Sequence, residues 1–502
     1  MDFTPESALE KLGELQSKQY AYYFAQSSIY LDSVTAAPRD TAEGRSRALG
    51  VLSEEEYKLL VNDETGALLE YVLANADLFD RKTLREAEEL KRSYDDMTKI
   101  PMKEYVEYQM LVNDAENRWH TAKETNDFEL FRPYLERIVE ANRKFAGYFD
   151  PSKAPYDVLL DKYERGTSMA SLDKFFARLR ERLVPVIKSL PQRIQPDDGF
   201  LFRDYPVDKQ RVFSDYLMEL MGLDRAHCGI AETEHPFTLE FNHNDVRITT
   251  HYIANNLVSS MYSVVHEGGH ALYELGVDGE YDYTALAGGS SMGIHESQSR
   301  FYENIVGRSE EFVSLILPRL RELFPEQLEG VSVERFTRAV NRSQPSLIRT
   351  EADELTYPLH IMVRYELEKR LISGELDVAQ LPAEWNRMYK EYLGVEVPDD
   401  TRGVLQDSHW SGGSLGYFPS YALGSAYAVQ MLRMMQKDFD VFGEIKAGNL
   451  ARVTAWLRER IHRFGCFKRP DELLRGVIGE LDPDVYCDYL IEKAEKNMPP
   501  RA

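Results

Sequence analysis

The chain has 502 residues, of which 43% are hydrophobic and 29% charged, so it can bury a large globular core. Its 84 acidic residues outnumber its 60 basic ones and give a formal net charge of −24, which argues against nucleic acid or an anionic membrane as a partner. The three cysteines lie far apart; they suit neither a disulfide framework nor a Cys-x-x-Cys metal site and indicate a reducing compartment. The acidic start lacks a signal-peptide pattern, and no apolar run approaches the roughly 18 residues of a membrane span. We therefore expect a cytoplasmic protein.

The first part of the sequence, from Thr4 to about Leu190, is predicted to be almost entirely helical, because apolar residues recur there at helical spacing. Four helices are predicted within it: Glu54–Leu73, Phe79–Met97, Met102–Thr125 and Phe128–Phe149. Ser53 is predicted to cap the first of these, with Glu56 as the second member of a capping box.

Turn-forming residues are concentrated between Pro185 and Pro206. We interpret this stretch as a hinge between an N-terminal helical half, about residues 1–190, and a catalytic half, about residues 200–502. Because no Gly/Ser-rich linker separates the two halves, we predict that residues 1–502 form one catalytic domain.

A β-hairpin is predicted next. Residues 237–241 and 245–249 each alternate apolar and polar side chains, and residues 242–244 form a turn between them. Because the hairpin immediately precedes the motif described below, a small sheet is expected beside the same cavity. It could hold an extended peptide along its edge strand, or it could be purely structural.

The sequence His-Glu-Gly-Gly-His at residues 266–270 is an H-E-x-x-H pattern inside a predicted helix, about residues 255–276. His266 and His270 are one turn apart and so project from the same helix face. Two imidazoles at that spacing can bind one Zn²⁺ at roughly 2.0–2.1 Å, while Glu267 reaches a water at the same metal.

Two glycines lie inside this predicted helix, where each costs roughly 1 kcal/mol relative to alanine. Gly268 and Gly269 therefore indicate that a substrate or another helix approaches the backbone closely. Gly276, at the end of the pattern, is predicted to act as the C-cap.

A third metal ligand is needed, because catalytic zinc usually has three protein ligands and a water. The Gly/Ser-rich residues 288–291 lead into a new helix that carries His295 and Glu296. A helix turns by 100° per residue, so only one of the two can face the metal. We favour Glu296 because two histidines and a glutamate are a common set in catalytic zinc enzymes, and His295 stays the alternative.

Six short motifs follow one another in the chain: His235-Pro236-Phe237, the D-x-R-x-T of Asp245, Arg247 and Thr249, the H-E-x-x-H, His295-Glu296-Ser297-Gln298, residues 348–353 and residues 403–410. In this order they resemble the carboxypeptidase Taq family of metallocarboxypeptidases over essentially the full length. The resemblance implies an all-α, two-lobed fold with a deep cleft, similar to neurolysin and angiotensin-converting enzyme. It also implies one Zn²⁺ or Co²⁺ per chain, a homodimer, and release of C-terminal amino acids with broad preference. Glu296 is the third ligand by its place in the motif.

The expected substrate is a peptide with a free C-terminal carboxylate, which an arginine binds best through two parallel hydrogen bonds. Arg349 is our candidate, with Asp353 four residues on as the residue that orients it; the two could instead form only a structural pair. Arg247, Arg402 and His409 are reserve candidates, and His235 is grouped with the substrate-binding residues.

Glu267 is expected to act as general base and then as general acid. The developing oxyanion needs a further donor, for which we favour Tyr417 or Tyr421 without choosing between them; either could instead be a core tyrosine. His409 precedes these tyrosines and is a further catalytic candidate. Two other functions stay open: an oligoendopeptidase of the same fold, and an inactive, metal-free peptide-binding scaffold.

Overall fold

The structure is a computed structural model that describes residues 3–501, and α-helices dominate it. The helices are α1 (Pro5–Thr35), α2 (Ala42–Leu60), α3 (Asp63–Ala74), α4 (Arg81–Thr98), α5 (Met102–Thr125), α6 (Phe128–Phe149), α7 (Pro155–Tyr163), α8 (Met169–Ser189), α9 (Val207–Met221), α10 (Leu257–Gly276), α11 (Met292–Arg300), α12 (Glu310–Leu323), α13 (Val333–Val340), α14 (Tyr357–Ser373), α15 (Leu381–Leu393), α16 (Pro419–Met435), α17 (Val441–Lys446), α18 (Leu450–Arg460), α19 (Pro470–Val477) and α20 (Pro483–Asn497). The strands are β1 (Cys228–Glu232), β2 (Thr238–Asn242) and β3 (Asp245–Thr250). The predicted mainly helical class is confirmed. Across residues 3–501, no helix combines the length and the apolar character needed to cross a membrane.

Of the four helices predicted in the N-terminal half, two match α5 and α6 to the residue. A third matches α4 with slightly different ends, and the fourth is wrong. The helix predicted over residues 54–73 is interrupted after α2, because the backbone of Asn62 is extended. Asn62 then acts as the N-cap of α3, where its side chain accepts the Thr65 N–H at 2.8 Å. Ser53 lies inside α2 and donates its hydroxyl to Gln26 at 2.8 Å, so it is not an N-cap.

The stretch predicted as a hinge does not start at Pro185, because Pro185 lies inside α8, which ends at Ser189. The two halves share a continuous hydrophobic core that runs from α5 to α20. Polar contacts also join them: the Trp119 indole donates to the Leu405 carbonyl at 3.0 Å, and the Arg143 guanidinium donates to the Ile372 carbonyl at 2.9 Å.

The sheet has the strand order β1-β3-β2. The antiparallel pairing of β2 with β3 confirms the predicted hairpin, with an irregularity between Glu240 and Asn242. Strand β1, which pairs parallel to β3, was not predicted from the sequence. Both β2 and β3 pack against α10, so the sheet lies beside the helix that carries the H-E-x-x-H motif.

Helix α10 meets α11 so closely that Gly269 has no room for a side chain. A Cβ atom there would lie 2.7 Å from the Gln298 carbonyl oxygen and 2.8 Å from the Ser299 Cα atom. On the other side of α11, a Cβ at Gly424 of α16 would lie 2.8 Å from the Cβ of Glu296. Of the two explanations for the helix glycines, the approach of another helix is therefore correct.

The other two glycines of α10 also make room for neighbours. A Cβ at Gly268 would lie 2.7 Å from the Met221 side chain, and a Cβ at Gly276 would lie 2.7 Å from the His462 ring. The predicted C-cap role of Gly276 is wrong, because Gly276 is the last helical residue and Val277 follows it as the cap with an ordinary negative φ.

The Gly269 contact yields a prediction for stability. Gly269→Ala should lower the free energy of unfolding by about 1–3 kcal/mol, the usual cost of inserting a methyl group into a filled core. Gly13→Ala, in the middle of α1, is the control, because its new methyl group meets no described atom within 4 Å. It should be neutral or stabilising by up to about 1 kcal/mol. Urea unfolding of both variants checks the difference, and equal stability of the two would show that α10 and α11 can separate at no cost.

Candidate active site

Two imidazoles of α10 and one carboxylate of α11 converge. The Nε2 atoms of His266 and His270 lie 3.8 and 3.7 Å from Oε2 of Glu296, and the three atoms lie within 4.8 Å of one another. A tetrahedral metal with bonds of 2.0–2.1 Å has ligand atoms roughly 3.4 Å apart. This donor set therefore fits one metal ion and leaves a position for water or substrate.

His266 is supported by Glu303, which lies in the π-helical turn Phe301–Val306 after α11. The His266 Nδ1–H points at Glu303 Oε2 at 2.9 Å, which leaves Nε2 for the metal. Arg300 and Arg308 also donate to Glu303, at 3.2 and 3.0 Å. Burial alone would raise the pKa of Glu303, but Arg300, His266 and Arg308 outweigh it and hold that pKa well below its usual range.

His295 is not part of the triad. Its Nδ1 faces Nδ1 of His270 at 2.6 Å, on the side of the His270 ring away from Glu296. Burial lowers the pKa of His270 well below its ordinary value, so this imidazole is neutral, the form that can bind a metal. Of the two candidates for third ligand, the structure brings Glu296 to the imidazoles.

Glu267 lies beside the triad and is almost fully buried, with 7% exposure. Its carboxylate accepts a hydrogen bond from the Thr238 hydroxyl at 2.7 Å. Burial raises the pKa of Glu267. The nearby His266 and this hydrogen bond lower that pKa, but they offset the effect of burial only in part. Thr238, the first residue of β2, was missed by the sequence analysis; the only signal was that the hairpin precedes the motif.

Three candidates from the sequence form one wall. His409 Nε2 lies 3.4 Å from the Tyr421 hydroxyl, and the rings of Tyr417 and Tyr421 are 5.1 Å apart. Burial lowers the pKa of His409 to about 4, with Arg349 adding to the effect of burial, so this imidazole is neutral at pH 7. The wall therefore presents two hydroxyls and a neutral ring.

Arg349 adjoins this wall, but the partner predicted for it is wrong. Its Nε and Nη2 donate to Oδ1 of Asp407 at 3.0 and 2.8 Å. Arg349 begins a short 3-10 turn, so the helical i, i+4 spacing does not apply to Asp353. Asp353 instead accepts the backbone N–H of Leu355 and of Thr356, at 3.0 and 3.2 Å, at the start of α14.

Tyr357 connects Arg349 to the triad and was also missed. Its hydroxyl accepts from Arg349 Nη1 at 3.1 Å, and the Arg300 guanidinium lies over its ring at 4.9 Å. Arg300 in turn donates to Oε1 of Glu296 at 2.7 Å. Nothing in the local sequence around Tyr357 indicated this role.

The remaining candidates have local partners. Arg247 donates through Nε and Nη2 to Asp245, at 2.9 and 2.8 Å, and Arg402 donates through Nε to Asp399 at 2.9 Å. The His235 side chain is exposed. The described contacts of these three side chains do not reach the triad.

A cavity of about 490 Å³ lies next to the site, between the N-terminal helices and the catalytic half. Residues of α1, α4, β2 and α10 line it, including Tyr23, Glu240 and Glu274. Glu274 is one helical turn beyond His270, so the cavity adjoins the triad along α10.

A histidine pair one turn apart, a glutamate from a crossing helix and a buried glutamate beside them define a metallopeptidase. The family model of carboxypeptidase Taq (M32) metallopeptidases matches residues 11–494. Carboxypeptidase 1 of Bacillus subtilis (strain 168) is 40% identical over 475 residues, 94% of this chain and 95% of that protein. Thermostable carboxypeptidase 1 of Pyrococcus furiosus is 36% identical over 489 residues, which cover 94% of this chain and 96% of that protein. The crystal structure of the M32 carboxypeptidase from Deinococcus radiodurans R1 superposes with a TM-score of 0.95 at 32% identity, over 98% of this chain and 99% of that one. The chain therefore belongs to the carboxypeptidase Taq family, as its motifs indicated.

The triad yields a prediction for metal content. His266→Ala, His270→Ala and Glu296→Ala should each remove the bound metal ion, because each takes away one of the three side chains that converge. Elemental analysis of purified, dialysed protein checks this. His120→Ala, an exposed histidine on α5, is the control and should keep its metal. A metal-replete Glu296→Ala protein would show that another side chain supplies the third ligand.

Proposed function

We propose that this protein is a metallocarboxypeptidase that releases amino acids one at a time from the free C-terminus of peptides, with broad preference. One Zn²⁺ per chain, replaceable by Co²⁺, would be held by His266, His270 and Glu296. The single observation that carries this proposal is the convergence of that triad with Glu267 in one buried site. The carboxypeptidase names of its relatives support the same reaction.

Three further features belong to the proposal. Residues 1–502 act as one catalytic domain, supported by the core that both halves share. The protein works in the cytoplasm, supported by three cysteines that form no disulfide. It is a homodimer, which the motif resemblance implies and which the mass of the purified protein in solution would test.

The chemistry divides between the metal and the chain. When bound, the metal supplies a Lewis acid that makes water easier to deprotonate and polarises the carbonyl. Glu267 accepts the proton of the attacking water and passes it to the leaving amine. Thr238 holds the Glu267 carboxylate in place from the edge of the sheet. The hairpin thus contributes a positioning group to the reaction.

The oxyanion that develops during attack would be stabilised by a tyrosine hydroxyl. Tyr417 and Tyr421 both stay candidates, since both belong to the wall beside Arg349. Burial raises the pKa of Tyr421, with the neighbouring Tyr417 adding to it, so its hydroxyl keeps its proton at neutral pH.

The terminal carboxylate of the substrate would bind Arg349. Asp407 lies between two arginines, Arg349 and Arg364, so one positive charge remains for the substrate. The Arg349 guanidinium also lies 5.2 Å from the Tyr421 ring centre, so the clamp and the oxyanion donor would belong to the same wall. Fixing the terminal carboxylate there would place the last peptide bond near the triad and exclude longer C-terminal extensions.

The role of Glu267 yields a prediction for turnover. Glu267→Gln keeps the shape of the side chain but cannot accept a proton, so kcat should fall by at least about 10²–10⁴-fold, the range that general acid–base catalysis supplies. Peptide hydrolysis followed by mass spectrometry measures the loss, and metal content should be unchanged. Thr238→Val should lose less, because it misplaces the base without removing it. Near-normal hydrolysis by Glu267→Gln would contradict the mechanism.

The carboxylate clamp yields a prediction for specificity. Arg349→Ala should lower kcat/KM on free peptides by an amount equivalent to about 2–5 kcal/mol of transition-state stabilisation. This is the usual cost of removing one partner of a buried charge pair. Arg349→Lys should recover only part of this, since it lacks the planar fork.

The comparison to make is a free-acid peptide against its C-terminal amide, on each variant. Arg402→Ala, which breaks a surface pair with Asp399, is the matched control and should keep the preference for the free acid. If the wild type cleaves both peptides equally, the protein is an oligoendopeptidase. If Arg349→Ala keeps the preference, Arg349 is not the clamp.

A further inference from the structure

The two histidine ligands of the triad are supported in different ways. His266 contacts the carboxylate of Glu303 directly, at 2.9 Å. His270 contacts a second imidazole, His295, at 2.6 Å, and the other nitrogen of His295 lies 2.5 Å from Glu274. On the Nδ1 side of His270, a carboxylate is therefore reached only through an intervening ring.

The direction of these hydrogen bonds follows from the triad. His270 presents Nε2 to Glu296, so Nε2 must be free of hydrogen for a metal, and the hydrogen lies on Nδ1. That N–H donates to Nδ1 of His295, which is therefore unprotonated. His295 then carries its hydrogen on Nε2 and donates it to Glu274, which completes the chain with one donor and one acceptor at each contact.

The surroundings keep His295 in this orientation. A Cβ at Gly289 would lie 2.5 Å from Cδ2 of His295, and the Tyr273 ring centre lies 5.0 Å from the His295 ring centre. The Gly289 backbone N–H donates to Oε1 of Glu274 at 3.1 Å, and Glu274 is only 4% exposed. The loop after α10 thus fixes both members of the pair against the ligand helix.

We propose that His295 and Glu274 are positioning residues which fix the tautomer and the ring orientation of His270, and so set the affinity of the site for its metal. This inference rests on the proposed function, because it requires His270 to be a metal ligand. It gives His295 a role other than that of the alternative third ligand. The partners of a metal-binding histidine usually change metal affinity by about 10–100-fold when they are removed.

The test is a metal titration of the whole protein with a competing chelator. His295→Phe keeps an aromatic ring beside Tyr273 but removes both nitrogens, so the dissociation constant for Zn²⁺ should rise about 10–100-fold. At saturating metal the variant should still bind one ion, and its Co²⁺ form should show a changed visible absorption spectrum. Glu274→Leu should weaken binding similarly. Glu274→Gln should recover much of the loss, because its amide oxygen can still accept from His295.

Tyr273→Phe is the matched control. It alters the ring that packs beside His295 and loses only a hydrogen bond from the Ser290 backbone, so its metal affinity should stay within about twofold of the wild type. Thermal unfolding of the metal-free proteins reports structural damage separately.

Unchanged affinity in His295→Phe, or an equal loss in Tyr273→Phe, would overturn the proposal. A His295→Phe protein that binds no metal even at saturation would also overturn it, because His295 would then be a ligand. Failure of the proposed function would look different: the wild type would bind no metal, or His270→Ala would bind it normally.

Discussion

The site depends on the close contact of α10 and α11 at Gly269. Because the backbones touch there, two histidines from one helix and a glutamate from the next can share a metal, without long side chains having to bridge a gap. Gly424 of α16 gives α11 the same close approach on its other face. The position of Glu296 is therefore set by backbone packing on both sides of α11. Because protein cores are densely packed, this position is hard to shift.

The buried charges around the triad are arranged in pairs and shared partners, as the cost of isolated buried charge requires. Glu303 accepts from His266 and from two arginines, and Asp407 lies between two more. In both clusters the arginines outnumber the carboxylate that they share. One cluster orients His266, the proposed metal ligand, and the other leaves a positive charge at Arg349, which is proposed to bind the substrate.

What the sequence could predict was local. The spacing of His266 and His270 and the meaning of the glycines beside them follow from helix geometry, and the hairpin follows from its alternation. The rotation of α11 about its own axis does not follow from local pattern, so His295 and Glu296 could not be separated by it. Asp407 is 58 residues from Arg349 in the sequence, beyond any spacing rule, and the rule that suggested Asp353 failed because the chain is not α-helical there. Thr238 and Tyr357 reach the site only through tertiary packing.

Anomalous diffraction from crystals of the Zn²⁺- or Co²⁺-loaded protein, recorded at the absorption edge of the metal, tests the central claim most directly. We expect one strong peak per chain, roughly 2.0–2.2 Å from Nε2 of His266, Nε2 of His270 and a carboxylate oxygen of Glu296. His295 should lie outside bonding distance of that peak. A peak bonded to His295 in place of Glu296, or a peak only at some other part of the chain, would contradict the account.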